Sequence, residues 1–188
     1  MLDAIKEGLD GKIIRVGNLM GRYSDGKFQI NYESNAFLNG LKGYAAIGAC
    51  PLSHMMDPMA FSPIDYTAAS VVLLASTPKI FTIFQAENHN IVDEYKVVKA
   101  IDRNGYKVDV LEDSEYKEKF NEILNNDKLS NKLAELVIYD DKEGIRLIKP
   151  DTKFTVLALY KLGFSWPIVD DLYLNRIFKY VKEIGMYN

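Results

Sequence analysis

The segment Lys12-Ile13-Ile14-Arg15-Val16-Gly17 constrains this chain most. Its β-branched run reads as a short buried strand. The continuation cannot be a helix, because Asn18 to Ile30 is rich in Gly, Asp and Ser and reads as a long loop. A dinucleotide-binding turn needs glycines at G-x-G-x-x-G spacing and a helix whose N-terminus faces the pyrophosphate. Here Gly17-Asn18-Leu19-Met20-Gly21 runs on into Arg22-Tyr23-Ser24-Asp25-Gly26, a turn sequence. The chain therefore has a strand and a site-like loop but no phosphate cradle.

The rest reads as mainly helical. Phe37, Leu38, Leu41 and Tyr44 share one helix face. Pro51 to Pro63 reads as irregular, and Asp65 as the cap of a helix through Leu74. Ile80 to Gln85 reads as a second strand. Asn90 is placed as the cap of a helix with Ile91, Tyr95, Val98 and Ile101 on its apolar side, stopped at Gly105. Val108 to Leu111 is a third strand. One helix is marked by Tyr116, Phe120, Ile123 and Leu124, and a second by Leu129, Leu133, Leu136 and Val137. Asp140 to Lys149 is a charged loop. Two terminal helices carry Phe154, Leu157 and Ala158, then Leu174, Ile177, Phe178, Val181 and Ile184.

Composition narrows the function classes. A formal charge of -3, from 23 basic and 26 acidic residues, gives no electrostatic reason for nucleic acid or an anionic membrane as partner. No apolar run reaches the length of a membrane span. The start, MLDAIKEGLDGK, lacks an apolar signal core, so a cytoplasmic location is expected. Cys50 is the only cysteine, which leaves no internal disulfide and no Cys-based zinc site. His54 and His89 show no metal-ligand spacing, and no metal is expected. Tyr95-Lys96-Val97-Val98-Lys99 is a literal Tyr-x-x-x-Lys, but no cofactor loop precedes it. It reads as part of an amphipathic helix, with Tyr95 on the apolar stripe.

Arg15-Val16-Gly17-Asn18-Leu19-Met20-Gly21-Arg22-Tyr23-Ser24-Asp25-Gly26-Lys27-Phe28-Gln29-Ile30-Asn31 resembles the signature of thioester reductase domains, which belong to the extended short-chain dehydrogenase/reductase family and terminate nonribosomal peptide synthetases and carboxylic acid reductases. Three further stretches are similar in family order: Asn35-Ala36-Phe37 to Leu41-Lys42, Ile47-Gly48-Ala49-Cys50-Pro51, and Phe61-Ser62-Pro63-Ile64-Asp65-Tyr66 to Val72. Leu162 to Pro167 and Tyr180 to Gly185 resemble the family's terminal helices.

The resemblance implies an α/β, mostly helical fold: the C-terminal, substrate-binding part of an extended short-chain dehydrogenase/reductase, lacking the N-terminal Rossmann half. Residues 1–188 would be one truncated domain. In it, 1–30 supply a distal sheet strand and site loop, and 31–188 a mainly helical substrate-binding part with two short strands. The family's glycine-rich loop and its Ser/Thr and Tyr-x-x-x-Lys residues would lie before Lys12, so no catalytic residue is expected in this chain, which alone would be inactive. Met1 would then be a start supplied at a cut just upstream of the strand.

The parent domain would use NADPH or NADH to release a phosphopantetheine-bound acyl or peptidyl chain as aldehyde or alcohol. Its partner would be a carrier domain. By resemblance, Val16, Gly17, Asn18 and Leu19 would lie beside the nicotinamide; the residues alone admit a plain turn equally well. Met20, Phe28, Phe37 and Met55 would line an acyl pocket, with core packing as the other reading for each. Arg22 would meet the phosphopantetheine phosphate or else pair with Asp25. Asp65 would support the loop without entering the site. The strands at Lys12 and Ile80 would pair with absent strands, so the isolated chain is expected to self-associate through its open edge. Two other readings remain: a free-standing, non-catalytic binding module, or part of a fatty acyl-CoA reductase.

Overall fold

The computed structural model describes residues 1–125 and 150–185. Along the chain run α1 (Leu2–Lys6), β1 (Ile13–Val16), β2 (Leu19–Met20), α2 (Ala36–Ile47), β3 (Ala49–Pro51), β4 (Pro58–Met59), β5 (Ser62–Pro63), α3 (Ile64–Ala75), β6 (Ile83–Ala86), β7 (Val92–Asp93), α4 (Glu94–Arg103), β8 (Asp109–Leu111), α5 (Asp113–Leu124), α6 (Lys153–Lys161) and α7 (Asp171–Glu183). The helices expected around Leu129 to Val137 and the loop Asp140 to Lys149 lie outside the described residues.

The sheet is fragmentary. β1 pairs with β6, β2 with β5 and β3 with β8, all parallel, while β4 pairs with β7 antiparallel. The strands expected near Lys12 and Ile80 pair with each other, Ile13 opposite Ile83 through Val16 opposite Ala86, which takes one edge of each. β1 is also less buried than its apolar run suggested, since Arg15 and Val16 are exposed.

Among the described residues, two apolar cores form. The larger gathers α2, α4, α5 and α7, with Leu38, Leu41, Val97, Ile101, Tyr116, Leu174, Ile177 and Phe178 among its buried members. The smaller joins Leu74 of α3, Phe84 and Ala86 of β6, Leu159 of α6 and Trp166. Helix ends follow local chemistry. Asn35 caps α2 by accepting the Leu38 N–H, Gly48 closes it in the left-handed conformation, and Asp170 caps α7 by accepting the Tyr173 N–H.

Five local expectations are corrected. The cap position of α3 is Pro63, and Asp65 sits in the first turn. The cap position of α4 is Asp93; Asn90 instead donates to the Trp166 and Pro167 carbonyls, at 3.1 Å each, which ties the turn before α7 to the β6–β7 segment. Tyr95 and Ile91 are exposed rather than apolar-facing, because α4 buries Val97, Val98, Ala100 and Ile101; Lys99 lies over the Tyr95 ring. Helix α6 turns Thr155 and Leu159 inward, leaving Phe154 and Leu157 half exposed. The reason is polar: the Thr155 hydroxyl accepts the Gln85 N–H at 2.9 Å, which fixes the helix against β6. Ala49-Cys50-Pro51, expected within and beside an irregular stretch, forms β3 because β8 supplies a parallel partner. Among the described residues, no helix is long and apolar enough to cross a membrane.

Candidate functional site

The loop from Val16 to Phe28 lies between the carboxyl end of β1 and the start of α2. Its anchoring begins at Asp65, on the first turn of α3. The Asp65 carboxylate accepts the Tyr23 N–H at 2.9 and 3.1 Å, and its Oδ1 also accepts the Tyr66 N–H at 3.1 Å. Hydrogen bonds from amides to a carboxylate are among the stronger neutral-to-charged pairings available to a backbone. A second clamp comes from α7. The buried Tyr173 hydroxyl donates to the Gly21 carbonyl at 2.8 Å, and Arg176 donates to the Tyr23 carbonyl at 2.9 Å. Burial first, then the neighbouring Asp65 and Tyr23, push the Tyr173 phenol above its ordinary range, so it stays a donor. The Tyr23 ring packs between Tyr66 and Tyr173 at centroid distances of 5.5 and 5.0 Å.

Inside the loop, Arg22 pairs with Asp25, Nε to Oδ1 at 3.0 Å, and Asp25 also accepts the Lys27 N–H at 3.1 Å. Partial burial works against the Asp25 charge, but the Arg22 hydrogen bond, the Lys27 amide and the two cations bring its carboxyl below the usual range. Two glycines are required sterically. Gly26 has φ +75 and lies on the Arg176 backbone, and a Cβ on Gly21 would collide with the Gly26 carbonyl.

The sequence-derived residues fall into three places. Met20 and Met55 are buried in the larger core, and Phe37 and Phe28 pack against it. Phe37 meets Phe61 edge-on at 5.4 Å, and Phe28 stacks on Tyr180 at 6.5 Å. Arg22 is engaged within its own loop. Val16, Gly17, Asn18 and Leu19 run from the carboxyl end of β1 into the amino end of β2, where Leu19 pairs with Ser62 of β5. Asn18 accepts the Ser62 N–H at 2.9 Å and Leu19 accepts from the Asn35 side chain at 2.8 Å. The space a side chain at Gly17 would fill is taken by Glu87 and Ser62, whose atoms would come within 2.6 and 2.9 Å. Gly17 is thus fixed by intramolecular packing. Glu87, missed in the sequence, follows β6 at this same carboxyl edge, where open parallel sheets collect ligands. Burial raises its carboxyl above the ordinary range. Tyr173 and Arg176 were also missed; α7 reads as an apolar stripe, and nothing in its spacing names the loop it grips. His54, Asp57 and Glu94 are a further group brought together only by the fold.

No protein-family model matches the chain, and no curated protein does. Solved structures do. A thiolation-reductase di-domain from an archaeal nonribosomal peptide synthetase is 35% identical over 100% of this chain and 39% of that one, with a TM-score of 0.86. The aureusimine biosynthetic cluster reductase domain is 26% identical over 98% and 48%, with a TM-score of 0.79. The terminal R domain of the myxalamid PKS-NRPS pathway shares the fold at 21% identity, with a TM-score of 0.80 over 98% and 47%. The chain thus spans less than half the length of these structures. By fold and sequence it belongs with the reductase domains of nonribosomal peptide synthetases, matching the C-terminal part of their extended short-chain dehydrogenase/reductase fold.

Proposed function

We propose that this chain is the substrate-side part of an NAD(P)H-dependent thioester reductase, which releases an acyl or peptidyl chain from carrier-bound phosphopantetheine as aldehyde or alcohol. The carrying observation is the 35% identity to the archaeal di-domain across the whole chain, together with the signature loop at 15–31 held in one conformation by Asp65 and α7. In this reading, hydride attacks the thioester carbonyl carbon, and the proton donor and nucleotide-binding loop belong to a nucleotide-binding half outside this chain. The chain's own residues position the loop. Val16 to Leu19 run at the nicotinamide end, and Asp65 keeps the loop in place from outside the site. Arg22, paired with Asp25, is available to a phosphate only if that pair opens. Met20, Phe28, Phe37 and Met55 form the apolar floor beneath the acyl group. The partners are a phosphopantetheinylated carrier domain and its thioester, in the cytoplasm.

The test is an assay of a protein uniting this chain with a nucleotide-binding half, given NADPH or NADH and an acyl-pantetheine thioester. Aldehyde or alcohol should appear with stoichiometric nucleotide oxidation; neither product would refute the reading. The chain alone should bind both nucleotides too weakly for calorimetry in the micromolar range, because pyrophosphate contacts carry much of dinucleotide affinity. The isolated chain should also pair through the open edge of β1, giving a dimer or larger by light scattering. A strict monomer at high concentration would contradict that pairing.

A further inference from the structure

The polypeptide between β3 and α4 brings together three side chains that the sequence keeps far apart. A short 3-10 turn, Leu52–His54, leads into β4, which pairs with β7 so that Pro58 faces Asp93 and Met59 faces Val92. Two more backbone bonds extend this joint: the Glu94 N–H donates to Asp57 at 3.0 Å, and the Tyr95 N–H to Met55 at 3.1 Å. One ligand atom each of His54, Asp57 and Glu94 consequently lies within 4.8 Å of the others. His54 Nδ1 is 3.9 Å from Glu94 Oε1 and 3.2 Å from the Tyr44 hydroxyl. Glu94 is buried, while His54 and Asp57 are half-buried, so an ion could enter from their side.

We infer that His54, Asp57 and Glu94 bind one divalent transition-metal ion of the zinc type. One imidazole and two carboxylates match the donors that zinc, cobalt and manganese accept, and fall short of the six to eight oxygens calcium takes. Bond lengths of about 2.0–2.2 Å at tetrahedral angles set the ligands of one ion about 3.3–3.6 Å apart. His54 and Glu94, at 3.9 Å, are near that spacing, and the widest donor pair, within 4.8 Å, would close in by up to about 1.3 Å through side-chain rotation. A cation here also offsets the electrostatic cost of holding a buried carboxylate near a second one.

The neighbours define the donor set. The Tyr44 hydroxyl, 3.2 Å from His54 Nδ1, orients the His54 ring from beside the donor set. Cys50 lies outside the cluster, buried with its thiol toward the Asp109 carbonyl at 3.8 Å. The bound ion would tie the 54–57 turn to the start of α4. This site is independent of the reductase reading and makes no use of the loop at 16–28.

The test uses the untagged chain stripped with chelator. Zinc is titrated calorimetrically, and cobalt is followed by its visible absorption. One equivalent should bind, with a zinc-dependent rise in melting temperature. His54→Gln and Asp57→Asn, each of which replaces a ligand, should each lower affinity by more than about tenfold, at least the loss typical of outer-shell changes. Both residues are half-buried, and circular dichroism checks that the variants fold. His89→Gln, at the other histidine, should bind as the parent does. Absence of saturable binding, undiminished binding in both ligand variants, or an equal loss in His89→Gln would each overturn the assignment.

Discussion

The loop at 20–28 and the strand pair β1–β6 are neighbours along the chain through β1, and they are built in opposite ways. The loop is polar and glycine-rich, yet its backbone is gripped from two sides, by Asp65 on α3 and by Tyr173 and Arg176 on α7. The strand pair is apolar, yet Val16 and Ile83 stay exposed, along with Ile80 and Phe81 just before β6. Among the described residues, β1 has β6 on one side and no second strand. A hydrophobic sequence thus marks the part that is left uncovered, and a turn sequence marks the part that is locked. Burial and hydrogen bonding decide local stability; composition does not.

The largest effect that would sharpen this contrast is expected from Gly26→Ala. A Cβ there would run into the Arg176 backbone in a conformation that L-residues rarely adopt. A loss of about 3 kcal/mol or more is expected in denaturant unfolding. A loss below about 1 kcal/mol would mean that the loop yields easily. Next comes Tyr173→Phe, which deletes the buried bond to Gly21 and should cost about 1–2 kcal/mol in the same measurement.

Much of this was legible in advance. The strand at 13–16, the α2 face with Leu38, Leu41 and Tyr44, and the α7 stripe follow from apolar periodicity. What could not be read depends on partners distant in sequence. Asp65 looks like a cap, and only the fold reveals that its acceptors serve Tyr23. Phe154 and Leu157 look inward by apolarity, but Thr155 wins that face with a hydroxyl placed on the edge of β6. Arg22 offered two readings, and the structure gives it to Asp25. Glu87 carried no sequence signal; its place follows from the parallel register that sets β6 beside β1.

A smaller effect comes from that exposed ion pair. Arg22→Ala should cost at most about 1 kcal/mol, since solvent screens it. Its pH dependence has a definite sign. The folded Asp25 carboxyl is depressed, so its contribution is complete above the ordinary carboxylate pKa of about 4 and fades as pH falls through the lower folded value. Melting of wild type and Asp25→Asn should therefore differ most above that range and converge in acid. Divergence towards acid would reverse the assignment.

The smallest effects belong to the open region. Val16→Thr and Tyr95→Phe change exposed side chains and should shift unfolding by no more than about 0.5 kcal/mol. In the reductase reading, Tyr95→Phe should also leave turnover unchanged; a loss of orders of magnitude in a folded protein would show Tyr95 to be catalytic.

Native-state hydrogen exchange on the isolated chain, diluted until it is monomeric, tests the contrast most directly. The amides of Arg22, Tyr23 and Gly26 are bonded to Lys27, Asp65 and Arg22, while that of Ile13 reaches Thr82 across the exposed strand pair. The loop amides should exchange at least about tenfold more slowly than those of β1, approaching the rate set by global unfolding. Loop amides that exchange as fast as those of β1, or faster, would contradict the claim that the signature loop is held by the fold itself.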